Sequence, residues 1–173
     1  MSSQSSPNDL AAIPSGSRIF IDANIFIYHF THTPLTAACP KFLQRVEIGD
    51  VEGITSVITL AEVAHRLMIL EAIQTHGLSS HVAVRKLKEN PVLVQQLSRY
   101  KVVSETVPAF NVAIETFTST HLRTAQSLSA TYGLMTNDSL TTAVMQSLTL
   151  TDLASNDPDF SLISGLTVWQ PQP

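Results

Sequence analysis

The sequence predicts an α/β fold, a three-layer α/β/α sandwich around a central, mostly parallel sheet of four to five strands. Two observations lead there. Short β-branched, apolar runs recur between longer stretches with helical spacing, and that alternation marks a parallel sheet with helices on both faces. The first run, Ile19-Phe20-Ile21, is apolar at consecutive positions, as in a strand buried on both sides at the centre of such a sheet. With 173 residues and 44% hydrophobic content, the chain suits one globular domain, expected over residues 18–173.

The elements follow in order. Residues 1–17 are rich in Ser, Pro and Asn and read as a flexible leader. The strand at 18–21 delivers Asp22 to a carboxyl edge, where open α/β sheets place their ligands. Asn24 follows it, and either residue also suits the cap of a helix running to Phe30. Residues 36–48 carry Ala37, Ala38, Phe42 and Val46 at helical spacing, closed by Gly49-Asp50. His29 and His32 stand three apart, a spacing open to a metal, with no third ligand signalled nearby.

A second strand is expected at 53–58. Thr59 then opens a helix with Leu60, Val63, Ala64, Leu67, Leu70 and Ile73 on one stripe. Glu62 has two readings: it folds back on Thr59 in a capping box, or it points over the strand edge toward Asp22. Residues 74–101 form a helical excursion with starts at Ser79 or Ser80 and at Asn90-Pro91. Five of the ten basic residues lie there, Arg85, Lys86, Lys88, Arg99 and Lys101. They read as a solvated face or as contacts for nucleic-acid phosphates, with Arg85, Lys86 and Lys88 as the candidate binding group.

Beyond it, 102–107 reads as a third strand near the sheet edge, and 108–132 as one long helix lined by Phe110, Ile114, Phe117, His121, Ala125 and Leu128. His121 there reads as a core histidine, and Gly133 as the helix stop. Met135-Thr136-Asn137-Asp138 starts the next helix, with an acid in its first turn where the helix dipole favours one. The fourth strand, 148–154, ends in Ser155-Asn156-Asp157-Pro158-Asp159-Phe160, where Asp157 is placed to cap a turn begun by proline. Residues 166–169 form the last strand.

Composition narrows the chemistry. Charged residues are 14% and the net charge is −4, so the whole molecule offers no basic footprint, and a polyanion must be met by local patches or metal ions. The single cysteine, Cys39, excludes an internal disulfide and a cysteine-based zinc site, and reads as a small buried hydrophobe. No apolar run reaches the length of a membrane span and no signal peptide is evident, so a soluble, cytoplasmic protein is expected.

Asp22, Glu62, Asp138 and Asp157 each follow a strand or begin a helix, positions that share one edge of a parallel sheet. Four carboxylates gathered there raise one another's pKa unless a cation neutralises them. Hard oxygen ligands suit Mg²⁺ or Mn²⁺, and such ions activate water for in-line attack on a phosphodiester.

The motifs that carry these acids are Ile21-Asp22-Ala23-Asn24-Ile25-Phe26-Ile27-Tyr28, Ser56-Val57-Ile58-Thr59-Leu60-Ala61-Glu62-Val63, Asn137-Asp138, and Ser155-Asn156-Asp157-Pro158-Asp159-Phe160. In this order the chain resembles the PIN-domain family and, within it, the VapC-type toxins, from about Arg18 to Trp169. The resemblance implies a Mg²⁺- or Mn²⁺-dependent endoribonuclease acting on RNA, with Asp22, Glu62, Asp138 and Asp157 as the catalytic, metal-binding acids and Asn24 and Ser155 orienting them. Asp22 and Asp138 are expected to bind the principal metal while Glu62 and Asp157 complete the cage. It also implies a homodimer and a cognate antitoxin. Asp152 and Asp159 flank the fourth acidic position and compete for its role. Two other readings stand beside this one: a catalytically silent protein that binds RNA or a protein partner in the same groove, and an aspartyl-nucleophile phosphatase. The phosphatase is disfavoured because Asp22-Ala23-Asn24 lacks the second acid that protonates a leaving group.

Overall fold

A computed structural model describes residues 8–31 and 37–172. In chain order the strands are β1 (Asn8–Asp9), β2 (Arg18–Ile21), β3 (Glu52–Ser56), β4 (Ala113–Glu115), β5 (Asp152–Ala154) and β6 (Thr167–Gln170). The helices are α1 (Ala23–Phe30), α2 (Ala38–Glu47), α3 (Val57–His76), α4 (Ser80–Glu89), α5 (Pro91–Gln96), α6 (Val102–Thr106), α7 (Ser119–Tyr132) and α8 (Thr136–Ser147). One sheet contains all six strands in the order β1-β6-β5-β2-β3-β4, and every pairing is parallel. It therefore has more strands than the four to five expected.

Side chains alternate across each strand, and here the alternation sorts the core into two layers. Ile19 and Ile21 of β2 join the cluster made with Ala23, Ile25 and Phe26 of α1, Phe42 and Val46 of α2, and Val63 and Leu67 of α3. Phe20 between them points the other way, against Val144 and Met145 of α8, Leu153 and Phe160. Close contact between β3 and α2 requires Gly53: a Cβ there would stand 2.5 Å from Val46 Cγ1 and 2.8 Å from Ile21 Cδ1. The chain runs β2-β3-β4 toward one edge, then crosses back through α7 and α8 to β5 on the other side of β2. The order thus reverses at the β2–β5 seam, the crevice where doubly wound sheets bind ligands.

The helical excursion after α3 is anchored by a buried carboxylate. Glu71, 8% exposed, accepts hydrogen bonds from Ser98 N at 3.0 Å, Arg99 N at 2.9 Å and Ser98 Oγ at 3.3 Å. A buried charge needs such partners, and these hold the return of the chain from α5 against α3.

Four expectations are corrected. From Asn8 onward the supposed leader is part of the fold: β1 pairs with β6, and Leu10 and Ile13 are 0% and 3% exposed in the core. The apolar residues are few, yet the two largest described, Leu10 and Ile13, fill core positions, which composition averaged over the segment conceals. Residues 102–106 are helix, not strand, because Val103 and Val107, four apart, both bury against the α1–α3 layer. The long helix expected over 108–132 is a 3₁₀ turn, β4 and α7. Asn111 ends the turn in a left-handed conformation (φ 58°), and β3 takes Ala113–Glu115 as its partner. His121 is accordingly no core residue. It sits at the start of α7, where its Nδ1 accepts from Thr118 N at 3.2 Å.

The engagement of the N-terminal segment has a measurable consequence. Leu10→Ala is expected to lower unfolding stability by about 2–5 kcal/mol, as for other buried leucines, read from the urea midpoint. A shift no larger than that of Ile48→Ala, at a residue 73% exposed, would show the segment to be dispensable.

Candidate active site

Asp22 ends β2 and caps α1. Its Oδ1 accepts from Ala23 N at 2.7 Å, and its backbone N–H donates to Ala154 O at 3.0 Å, extending the β2–β5 ladder by one residue. Oδ2 accepts from Ser155 Oγ and Asn24 Nδ2, both at 2.6 Å. Three of the roughly four acceptor sites of a carboxylate are thereby filled by the protein. Ser155 also accepts from Asn24 Nδ2 and from Asp157 N, each at 3.0 Å, while Asn24 Oδ1 accepts from Asn156 N at 3.0 Å. Asn24 and Ser155 thus tie the first acidic segment to the fourth.

Glu62 lies in the second turn of α3, because that helix starts earlier than its sequence implies. Ser56 is the cap, its Oγ accepting from Thr59 N at 3.2 Å. The capping box between Thr59 and Glu62 is therefore not formed. Glu62 Oε2 instead accepts from Asn137 Nδ2 of α8 at 2.9 Å. Asp138, the next residue, is half-buried. Asp157 caps the 3₁₀ turn at Pro158–Leu162, its Oδ1 accepting from Asp159 N at 2.9 Å.

All four carboxylates line one cavity of about 350 Å³, together with Asn24, Tyr28, Arg66 and Asn137, within the size range of ligand sites. Burial pushes the Asp22 carboxyl up to about 7, against the lowering by Ser155 and Ala23 N–H, with Glu62 and Asp138 adding repulsion. Asp138 is pushed up to about 6, first by burial and then by Asp157, Asp159 and Glu62. Asp159 thus lies within electrostatic reach of the cavity without lining it. Asp152 is at the opposite end of β5, where its Oδ1 accepts from Trp169 Nε1 at 2.7 Å, and has no place in the site.

The donor set is oxygen throughout, and its members repel one another, which is the condition a hard divalent cation relieves. Among the described residues no three His, Cys, Asp or Glu side chains already stand at ligand spacing; the acids surround a cavity instead of meeting at a point.

The remaining sequence candidates lie elsewhere. Arg85 and Lys86 of α4 approach Glu89 at 3.8 and 3.9 Å, and Lys88 lines a separate cavity with His65 and Met68. His29 packs against the rings of Phe30 and Phe110, its pKa lowered by burial, and His32 lies outside the described residues. Cys39 is fully buried and its thiol is pushed up to about 12, so it is no nucleophile. Sequence reading assigned no role to Asn137, Tyr28 or Arg66. Of these only Arg66 carries a local signal, its four-residue spacing from Glu62 on one helix face.

The Asp22 shift fixes a pH dependence. Its exposed value is 3.8 and its folded value about 7, so between these the native state binds more protons than the unfolded chain and stability falls as pH rises. The penalty is absent below pH 4 and complete above pH 7, on the order of 4 kcal/mol. Thermal midpoints in EDTA should therefore fall from pH 5 to pH 8, and Asp22→Asn should remove most of that slope. An equal slope in the variant would place the penalty on another group.

Comparison with known proteins bears on the family and the fold. The family described as PIN domain matches residues 19–166. Among solved structures, the chain is similar to Mycobacterium tuberculosis VapC20, a sarcin–ricin loop cleaving toxin, at 16% identity and a TM-score of 0.55 over 83% of this chain and 92% of that one. It is similar to Rickettsia felis VapBC2 bound to a DNA fragment from its promoter, at 15% identity and a TM-score of 0.57 over 90% and 99%. A Klebsiella pneumoniae toxin–antitoxin complex gives 19% identity and a TM-score of 0.55 over 89% and 98%. At these identities the structures share the fold. No curated protein matches the sequence. Since the family match spans most of the residues, including all four cavity acids, this chain belongs to the PIN domain family.

Proposed function

We propose that the chain is an endoribonuclease that hydrolyses RNA phosphodiester bonds with Mg²⁺ or Mn²⁺, and that it is the toxin of a toxin–antitoxin pair. The observation that carries the reading is the set of four carboxylates, Asp22, Glu62, Asp138 and Asp157, lining one cavity at the β2–β5 seam. A divalent cation there supplies the positive charge that acidifies water and stabilises the leaving oxygen. Asp22, held by three donors, and Asp138 of α8 offer oxygens for it. Glu62, steered by Asn137, and Asp157, fixed by its own cap, orient the attacking water. Water oxygen bonds to phosphorus as the opposite P–O bond breaks, leaving one phosphate and one hydroxyl end.

The toxin assignment is supported by the toxin and toxin–antitoxin structures that share the fold. It includes a small antitoxin protein as partner and a homodimer as the working form.

The test is cleavage of a random-sequence RNA pool. Cleavage is expected with Mn²⁺ or Mg²⁺, none in EDTA, and none from Asp138→Asn folded to the wild-type thermal midpoint or above. Ser155→Ala, which removes a partner of Asp22, should lower activity by about 10–100-fold, the usual cost of losing an orienting contact at a metal site. Mn²⁺ titration calorimetry gives a second readout. If wild-type protein neither binds Mn²⁺ nor cuts RNA, the nuclease reading fails and a silent binding protein takes its place.

A further inference from the structure

Among the described residues, the cavity that holds the four carboxylates has a single Lys or Arg on its wall, Arg66. It lies one turn beyond Glu62 on α3, the spacing at which a glutamate and an arginine ordinarily pair. Here they do not. Glu62 is engaged by Asn137 Nδ2 at 2.9 Å, and among the described residues Arg66 has neither an ion pair nor a hydrogen bond. An exposed guanidinium with five unmatched N–H donors is therefore left facing an acidic cavity.

Arg66 also lines a second cavity, of about 510 Å³, formed with Ile58, Ala61, His65 and Val84 between α3 and α4. The two cavities share Glu62, Arg66, Ile69 and Asn137, so the guanidinium stands on the rim between them. Of the other cations near this face, Arg85 and Lys86 flank Glu89 and Arg99 donates to Gln74, while Lys88 lines a neighbouring cavity with His65 and Val84 and neither of these two.

Resting on the ribonuclease reading, we infer that Arg66 is the phosphate anchor of a single-stranded RNA subsite. It grips the phosphate next to the scissile one as the strand passes from the acidic cavity into the second cavity, which takes the neighbouring nucleotide. The charge argument requires such a group: a chain of net charge −4 that turns carboxylates toward a polyanion needs a cation where the strand enters. The planar fork of arginine matches two phosphate oxygens. The apolar wall of Ile58, Ala61, Ile69 and Val84 suits the face of an unpaired base, which a duplex would withhold.

The experiment measures cleavage of the random-sequence RNA pool and, in the Asp22→Asn background, binding of the same pool across a salt series. Arg66→Ala should raise KM by about tenfold or more, the cost of a charged hydrogen bond, with kcat nearly unchanged. Its log K against log salt slope should shrink by about 0.7, one phosphate contact on a single strand. Arg66→Lys should restore the slope and only part of the affinity, since it keeps charge without the fork. Arg18→Ala removes the same charge at the opposite end of β2, where Arg18 pairs with Glu52, and should change neither. If wild type cuts RNA and Arg66→Ala behaves as Arg18→Ala does, the inference is overturned while the nuclease stands. If Arg66→Ala lowers kcat with KM and salt slope unchanged, Arg66 supports the acids and anchors no phosphate. Wild-type protein without cleavage or binding overturns both.

Discussion

Burial of the Asp22 carboxylate at the seam between β2 and β5 is the constraint around which the molecule is arranged. A carboxylate that is 8% exposed loses most of its hydration, and the fold must replace water with donors. It does so from three directions: the next backbone N–H, the Asn24 amide on the same helix, and the Ser155 hydroxyl at the end of the neighbouring strand. Each donor depends on a separate feature of the fold. The backbone donor requires a helix to begin at Ala23, and the hydroxyl requires β5 to run beside β2 in register. Even so the carboxyl is pushed up to about 7. Burial outweighs the hydrogen bonds, and the difference is a standing demand for positive charge.

The rest of the site is built from helix beginnings. Glu62 projects from the second turn of α3, Asp138 from the first turn of α8, and Asp157 caps the turn after β5. Parallel strands bring these beginnings to one edge, so the sheet concentrates acids with no direct bond between them. Asn137 is the link across the cavity, joining α8 to α3 through Glu62. This contact steers a carboxylate that lines both cavities, and Arg66, one turn further along α3, has no ion pair among the described residues. Behind them, Glu71 holds the excursion against α3, which keeps α4 in place as the far wall of the second cavity.

Several elements were legible in the chain because their signals are local. The Ile19-Phe20-Ile21 run, the Asn90-Pro91 start, the stop at Gly133, and the placement of Asp22 after a strand all follow from apolar period, caps and glycine conformation. The failures cluster where tertiary packing overrode local preference. Val102 and its neighbours have strand propensity, yet burial of Val103 and Val107 at helical spacing made them helix. Ile114 and Phe117 keep helical spacing with Phe110, yet β3 needed a partner and took Ala113–Glu115 into the sheet.

By itself the sequence determined the alternation of strands and helices and the delivery of acids to strand ends, since both are written in spacings of a few residues. Which of two partners each acid met was decided only in three dimensions. Glu62 faced a choice between its own helix start and a residue 75 positions away, and Asp152 competed with the favoured Asp157 until β5 set the two at opposite ends. Contacts at that separation depend on strand order and register, which no short window of residues contains.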